Sequence, residues 1–217
     1  MKNHVMDKDP QYATHERIGI EPLSELETTD ISVINPVNKK EIGSKVEDFN
    51  LLKTLGMGGQ GRVLLVSKIG GVDEKCLYAM KIVRKIKFLR FLKTATAARL
   101  ERDLLVDIKH QFIVKLFYTF QNKKRLYLVM EFLQGGDFHS FLQRVGTLRE
   151  FEARFYIAQL TLALEYLHMK NILYRDLKTS NILMSISGDV KLIDFGMSKY
   201  LKEKSRTYTL CGTPGHM

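Results

Sequence analysis

The chain has 217 residues, 45% of them apolar, and a net charge of +10; it is long enough for one domain, or a small lobe plus part of another, and too apolar for a disordered chain. Its two cysteines, Cys76 and Cys211, lie in different regions with no zinc-pair spacing and no disulfide framework, which points to a reducing compartment. No run approaches the roughly 18 apolar residues of a membrane span, and the amino terminus lacks an apolar signal core, so the expected location is cytoplasmic, nuclear or both.

Residues 1 to 47 are polar, are punctuated by Pro10, Pro22 and Pro36, and show no sustained period of 2 or 3.6, so they read as a disordered extension. They carry 6 Lys or Arg against 9 Asp or Glu, so the basic excess, 28 against 15, belongs to the remainder. A strand over 49–55 runs into Gly56-Met57-Gly58-Gly59-Gln60-Gly61-Arg62-Val63, a G-x-G-x-x-G-x-V loop whose glycines let backbone amides approach phosphate oxygens. Dinucleotide-binding folds share such glycines, but there the loop opens a helix, whereas Arg62 to Val66 reads as a second strand over 62–67.

A third strand over 76–83 contains Tyr78-Ala79-Met80-Lys81, where an ammonium can reach α- and β-phosphates. The stretch 94–108 reads as an amphipathic helix, with Leu100, Leu104, Leu105 and Ile108 near 3.6 spacing. Glu101 is the acid best placed to pair with Lys81; the alternative is a solvated glutamate. Around them lie Arg84, Lys85, Lys87, Arg90 and Lys93, a basic cluster that also suits a non-catalytic binding module. No nucleic-acid motif or interleaved aromatic pattern accompanies it, so nucleic acid is not an expected partner.

Strands over 115–120 and 125–131 follow, then helices over 138–145 and 151–168, the second with Phe155, Leu160, Leu164 and Leu167 on an apolar stripe. Next comes Tyr174-Arg175-Asp176-Leu177-Lys178 with Asn181 five places after the aspartate, and then Asp194-Phe195-Gly196. Either motif alone reads as a polar surface loop. Together and in this order they are specific for phosphoryl transfer, in which a carboxylate orients a hydroxyl while magnesium ions are held against the phosphates. Asp176 is the candidate base, Asn181 and Asp194 the candidate magnesium ligands, and Lys178 lies near the γ-phosphate.

From about Glu47 to Pro214 the sequence resembles serine/threonine protein kinases of the AGC group. Tyr174, where most kinases have histidine, and Cys211-Gly212-Thr213-Pro214 carry that likeness. Phe49-Asn50-Leu51-Leu52-Lys53, Glu101-Arg102-Asp103, Phe112-Ile113-Val114 and Leu126-Tyr127-Leu128 look most like the ribosomal-protein S6 kinases. The resemblance implies an α+β, two-lobed fold with a β-rich small lobe and hinge over 48–133 and a partial helical lobe over 134–217. It implies ATP and Mg2+ as cofactors, protein Ser/Thr as substrates and an upstream activating kinase. Met130 resembles the gatekeeper, Glu131 to Leu133 the hinge that reads the adenine, and Leu55, Val63, Ala79 and Leu183 the walls that sandwich it. Thr209 corresponds to the activation-loop phosphosite, contacted by Arg175 and Lys199.

The sequence also departs from the family. After Pro214 the expected Glu, aromatic and Ala-Pro-Glu pattern is replaced by Gly215-His216-Met217, so only the first part of the helical lobe is expected, and Leu160, Leu164 and Leu167 are expected to lose partners. Lys178-Thr179-Ser180-Asn181 replaces Lys-Pro-Glu-Asn, which leaves Asp137 as the remaining carboxylate for arginines of a basic substrate. A catalytically weak, nucleotide-binding decoy is therefore the alternative to an active enzyme.

Overall fold

The computed structural model describes residues 44–58, 61–84 and 101–201. Five antiparallel strands, β1 (Phe49–Gly58), β2 (Gly61–Lys68), β3 (Leu77–Arg84), β4 (Leu116–Gln121) and β5 (Arg125–Glu131), form one sheet in the order β1-β2-β3-β5-β4. The interior of β5 is apolar throughout because both of its faces are covered. Leu126, Leu128 and Met130 enter one cluster of buried side chains, while Tyr127 and Val129 enter another. In the second cluster Phe49 packs against Tyr118 and Phe120 with ring centroids 5.7 and 6.0 Å away, and Phe120 stacks on Tyr127 at 4.9 Å.

The extension drawn over 1–47 is corrected at its end. Val46 is only 1% exposed and joins the aromatic cluster, and Val46–Asp48 forms a 3-10 turn in which the Lys45 amide donates to Asp48 Oδ2 at 2.9 Å. One buried valine in a polar stretch creates no period, so the pattern carried no sign of it. Residues 1–43 lie outside the described residues.

The other cluster joins the sheet to the helices. Helix α1 is helical at 101–107 and contributes Leu104 and Leu105, followed by Ile108, whereas Leu100 lies outside the described residues. Helix α2 (Phe138–Val145) begins where Asp137 Oδ1 accepts the Ser140 amide at 2.8 Å and ends at Gly146, whose φ of 74° suits glycine. Helix α3 (Glu150–Met169) opens with Glu152 Oε2 accepting the Arg149 amide at 2.8 Å. After it come two short ribbons, β6 (Ile172–Leu173) with β9 (Lys199–Tyr200) and β7 (Ile182–Met184) with β8 (Val190–Leu192). The strands pair antiparallel and the two longer helices follow the five-stranded sheet, an α+β arrangement.

The apolar stripe of α3 is also corrected. Its buried positions are Gln159, Ala163 and Leu167, with Leu160 and Leu164 packed partly buried against the same cluster, while Phe155 is 50% exposed. Leu160, Leu164 and Leu167 thus have partners within the described residues. The exposed large apolar side chains of this helix are Phe151, Phe155, Ile157, Leu162 and Met169. The periodicity failed at Gln159 because a polar side chain with both amide groups satisfied can occupy a core position.

Candidate active site

The two-residue period of β3 places Lys81 on the same face as Ala79 and Val83, the face that α1 covers. There Lys81 Nζ donates to Glu101 Oε1 at 2.8 Å and Oε2 at 3.0 Å, and to Asp194 Oδ1 at 3.2 Å. Lys81 is 8% exposed and Glu101 2%. Burial works against the Lys81 ammonium, but Glu101 and then Asp194 more than offset it and hold its pKa above the usual lysine value. Burial pushes the Glu101 carboxyl up, and Lys81 only partly opposes this because Asp194 adds a second negative charge.

The loop from β6 to β7 carries the remaining polar machinery. Asp176 is 8% exposed; Asn181 Nδ2 donates to its Oδ2 at 2.8 Å and to its backbone carbonyl at 2.9 Å, and Lys178 Nζ lies 2.9 Å from Oδ2. A 3-10 turn over Thr179–Asn181, closed by the Asn181 amide on the Lys178 carbonyl at 2.9 Å, makes the five-residue return possible. With Nδ2 committed to Asp176, Oδ1 is the atom of the Asn181 amide left to ligate a metal.

Two contacts tie this loop to Asp194. The Ile193 amide donates to the Asn181 carbonyl at 3.0 Å, and the Tyr174 hydroxyl donates to the Ile193 carbonyl. Burial, then the carboxylates of Asp194, Asp176 and Glu101, hold the Tyr174 phenol well above its ordinary pKa, so it remains a neutral donor. Its ring meets Phe195 edge-on at 5.2 Å. Asp194 itself sits at φ 60°, in the left-handed region, with Oδ1 accepting the Gly196 amide at 3.3 Å.

Asn181 and Asp194 offer hard oxygen donors, and no group of three or more His, Cys, Asp or Glu comes together among the described residues. Such a set fits magnesium, which is commonly held by one or two side chains together with phosphate oxygens and water.

The glycine loop joins β1 to β2. Gly56, Met57 and Gly58 end the first strand, Gly61, Arg62 and Val63 begin the second, and Gly58 pairs with Gly61; Gly59 and Gln60 lie outside the described residues. A side chain at Gly61, whose φ is +149°, would place a Cβ 2.1 Å from the Ile82 carbonyl oxygen, so the loop packs flush on β3 only as glycine. Val63 stands opposite Lys81 and Ala79 opposite Met130 in the ladder, and Leu55 is 40% exposed.

Beyond β5 the chain meets β7 directly: the Gly135 amide donates to the Met184 carbonyl at 2.9 Å and the Met184 amide to the Gly136 carbonyl at 2.8 Å, with Leu183 bridging to Asp137. A Cβ at Gly135 would meet the Met184 carbonyl at 2.7 Å. Leu133 is 9% exposed, and the Glu131 carboxylate is held by Lys191 Nζ at 2.8 and 2.9 Å and by the Lys115 amide at 2.7 Å.

The structure therefore brings together Lys81, Glu101, Asp176, Lys178, Asn181 and Asp194, and packs the start of β2 at Gly61 against β3. Asp137 is partly diverted. Its two oxygens accept the Ser140 amide at 2.8 Å and hydroxyl at 2.7 Å, and those bonds outweigh partial burial and hold its carboxyl below the usual range. Arg175 donates Nε to the Met197 carbonyl at 2.7 Å, and its buried Nη1 has no hydrogen-bond partner among the described residues. Lys199, on β9, stands opposite Leu173, two residues before Arg175. Thr209, Cys211 to Pro214, and the basic residues Lys85, Lys87, Arg90 and Lys93 lie outside the described residues.

Three contributors escaped the sequence reading: Lys191, which holds Glu131; the Tyr174 hydroxyl; and Gln159. Gln159 Oε1 accepts the Val190 amide at 2.8 Å and Nε2 donates to Asp189 at 2.8 Å, fixing the β7–β8 hairpin that leads into Asp194. A lone glutamine inside an apolar helix was the available signal.

A model of the protein kinase domain matches residues 49–217. Ribosomal protein S6 kinase alpha-3 of Homo sapiens is 41% identical over 194 residues, which cover 89% of this chain and 26% of that protein. Ribosomal protein S6 kinase alpha-1 of Mus musculus is 37% identical over 214 residues, 98% of this chain and 29% of that protein. A putative ribosomal protein S6 kinase alpha-1 of Caenorhabditis elegans is 43% identical over 181 residues, 82% and 23%. The chain thus spans about a quarter of the length of the curated relatives it matches.

Proposed function

The chain belongs to the protein kinase family, and from that premise we propose that it transfers the γ-phosphoryl group of ATP to Ser or Thr hydroxyls of proteins. The observation that carries this reading is the meeting of Lys81 with both Glu101 and Asp194, next to a loop in which Asn181 holds Asp176 by its carboxylate.

Glu101 presents the Lys81 ammonium for the α- and β-phosphates, and Lys178 supplies positive charge near the γ-phosphate. Asp176 accepts the proton of the attacking hydroxyl as the new O–P bond forms and the bond from the γ-phosphorus to the β,γ-bridging oxygen breaks, so that ADP leaves. Asn181 Oδ1 and the Asp194 carboxylate would hold magnesium, which would neutralise charge on the transferring phosphates. The backbone that follows β5, from Glu131 to Leu133, reads the adenine between Leu55, Val63, Ala79 and Leu183.

Protein substrates follow from the same reading, and ribosomal protein S6, after which the relatives are named, is the first to test. An upstream kinase acting on Thr209 would supply a phosphate for Arg175 and Lys199. A cytoplasmic or nuclear setting suits such a substrate and the two separated cysteines, and among the described residues no helix is long and apolar enough to cross a membrane.

The test is magnesium-dependent phosphate transfer from ATP to a basic Ser/Thr peptide by the purified 217-residue chain, with Asp176→Asn and Lys81→Met as controls. Transfer lost in both controls supports the assignment. ATP binding without transfer would replace it with a nucleotide-binding role.

A further inference from the structure

Asp176 fixes where an acceptor hydroxyl must arrive, so the exposed surface around it decides which sequences can bring one there. Its own carboxylate is buried and engaged by Asn181 Nδ2 at 2.8 Å and Lys178 Nζ at 2.9 Å. The residue of the Thr179–Asn181 turn most open to solvent is Ser180, a neutral hydroxyl. Thr179 beside it is tied to helix α2: His139 Nδ1 lies 3.3 Å from Thr179 Oγ1, and Gln143 Nε2 donates to His139 Nε2 at 3.1 Å. An accepting Nε2 leaves the ring proton on Nδ1, so His139 donates to Thr179, and the loop and the helix present one continuous face.

Over 134–145 and 177–181, the stretches that form this face, Asp137 is the one acidic residue. Its Oδ1 accepts the Ser140 amide at 2.8 Å and its Oδ2 the Ser140 hydroxyl at 2.7 Å, at the end of α2 where the helix dipole already offsets a negative charge. Arg144 stands in the last turn of the same helix, and it lines, with Asp137, Ser140 and Gln143, an open groove of about 470 Å3. Bidentate recognition of arginine needs both oxygens of one carboxylate turned to the guanidinium, and here both are turned to Ser140. An arginine in the groove would also meet Arg144, and an acidic side chain would meet Asp137.

We infer, given the kinase activity proposed above, that Ser180 and Ser140 are specificity-determining residues for the acceptor. Ser180 places a neutral hydroxyl beside the base, and Ser140 occupies both oxygens of the one carboxylate on this face. The substrate class is Ser/Thr segments whose flanking side chain here is uncharged and polar, matched to the hydroxyl of Ser180 and the exposed amides of Gln134 and Gln143. A basic segment is accepted without advantage over a neutral one.

Fluorescein-labelled peptides with a central serine, each carrying either arginine or glutamine at one flanking position in turn, provide the test. Affinity for the 217-residue chain is read by anisotropy with magnesium and ADP present, and transfer by phosphate incorporation from ATP. Ser180→Glu should bind the arginine peptide about tenfold more tightly than its glutamine counterpart at one or two positions, where wild type and Ser180→Ala bind the two within about twofold. Ser140→Ala, which releases Asp137 Oδ2 and keeps the Oδ1 cap, should create a smaller preference for arginine, about threefold. Both serines are exposed, so the fold should persist; if Ser180→Glu unfolds, Ser180→Asp serves the same comparison. A tenfold preference for arginine already present in wild type at those positions, or no gain in the acidic variant at any position, would overturn the inference. The expected binding pattern without transfer to any peptide would instead overturn the kinase activity while supporting this account of the peptide-binding face.

Discussion

Lys81 and Asp194 lie 113 residues apart in the chain, yet their side chains meet at 3.2 Å, with Glu101 holding the same ammonium from the other side. One cation therefore serves two carboxylates, one of them almost wholly buried, and the arrangement is as sensitive to loss of the cation as to loss of an acid. In Lys81→Met, Glu101 would be left facing Asp194 in a site 2% exposed to water. The expected destabilisation at neutral pH is about 3 kcal/mol.

The sign of its pH dependence follows from the direction of the Glu101 shift. The folded-state pKa is already raised by burial and rises further without Lys81. The unfolded chain binds the proton less tightly, so the mutational cost is full above the folded pKa and shrinks as pH falls towards the ordinary glutamate value. Urea unfolding of both proteins at neutral and mildly acid pH measures it; a cost that grows on acidification would contradict this account of the pair.

Asp176 and Asn181 separate two roles. Asp176→Asn keeps the shape of the loop but removes the proposed proton acceptor, so transfer should fall by about a thousandfold while nucleotide affinity changes little. Asn181→Ala removes the amide that holds Asp176 together with one proposed metal ligand, so transfer should require more magnesium for half-maximal rate. Steady-state kinetics across ATP and magnesium concentrations distinguish these, and an unchanged magnesium dependence in Asn181→Ala would remove that residue from the metal site.

Much of this architecture was legible from local pattern. Short apolar runs that read as strands, an amphipathic helix near 3.6 spacing, and a chain of motifs in fixed order each carry their own signal. The pairing of Lys81 with Glu101 was readable because one acid lay near the middle of a helix whose apolar side was defined. Contacts between groups that local pattern does not rank were not readable. Lys191 looks like any strand lysine until the fold brings Glu131, 60 residues away in sequence, beside it, and Val46 looks polar by association with its neighbours. Gln159 sits among apolar residues whose 3.6 spacing does not rank it, although a single amide in such a stripe is where a core hydrogen bond is expected.

Asp73 is another such group, on the turn between β2 and β3. It accepts hydrogen bonds from Tyr78 at 2.7 Å and Tyr118 at 2.5 Å, so it ties the turn to two strands of the sheet. Partial burial works against its carboxylate, but the Tyr118 and Tyr78 bonds prevail and hold the pKa below the usual aspartate value. Asp73→Ala should cost about 1 to 2 kcal/mol at neutral pH. Because the folded pKa is depressed, the native contribution is complete above the ordinary aspartate value and disappears as pH falls through the folded one, so wild type and variant should converge in acid. Thermal unfolding over that range checks both the magnitude and the convergence.

Gln159 provides the sharpest test of how the proposed metal-binding end of the site is positioned. Its amide spans α3 and the β7–β8 hairpin, accepting from Val190 and donating to Asp189, and β8 leads within two residues of its last member to Asp194. Gln159→Leu fills a similar volume but leaves the buried Val190 amide without its acceptor, at an expected cost of about 2 kcal/mol. If the residue only packed the helix, the loss would appear as global destabilisation alone. If it fixes the hairpin, amide exchange at Val190 and Leu192 should accelerate more than exchange in β2 and β3. Uniform acceleration across both sheets would assign Gln159 to the helix core instead.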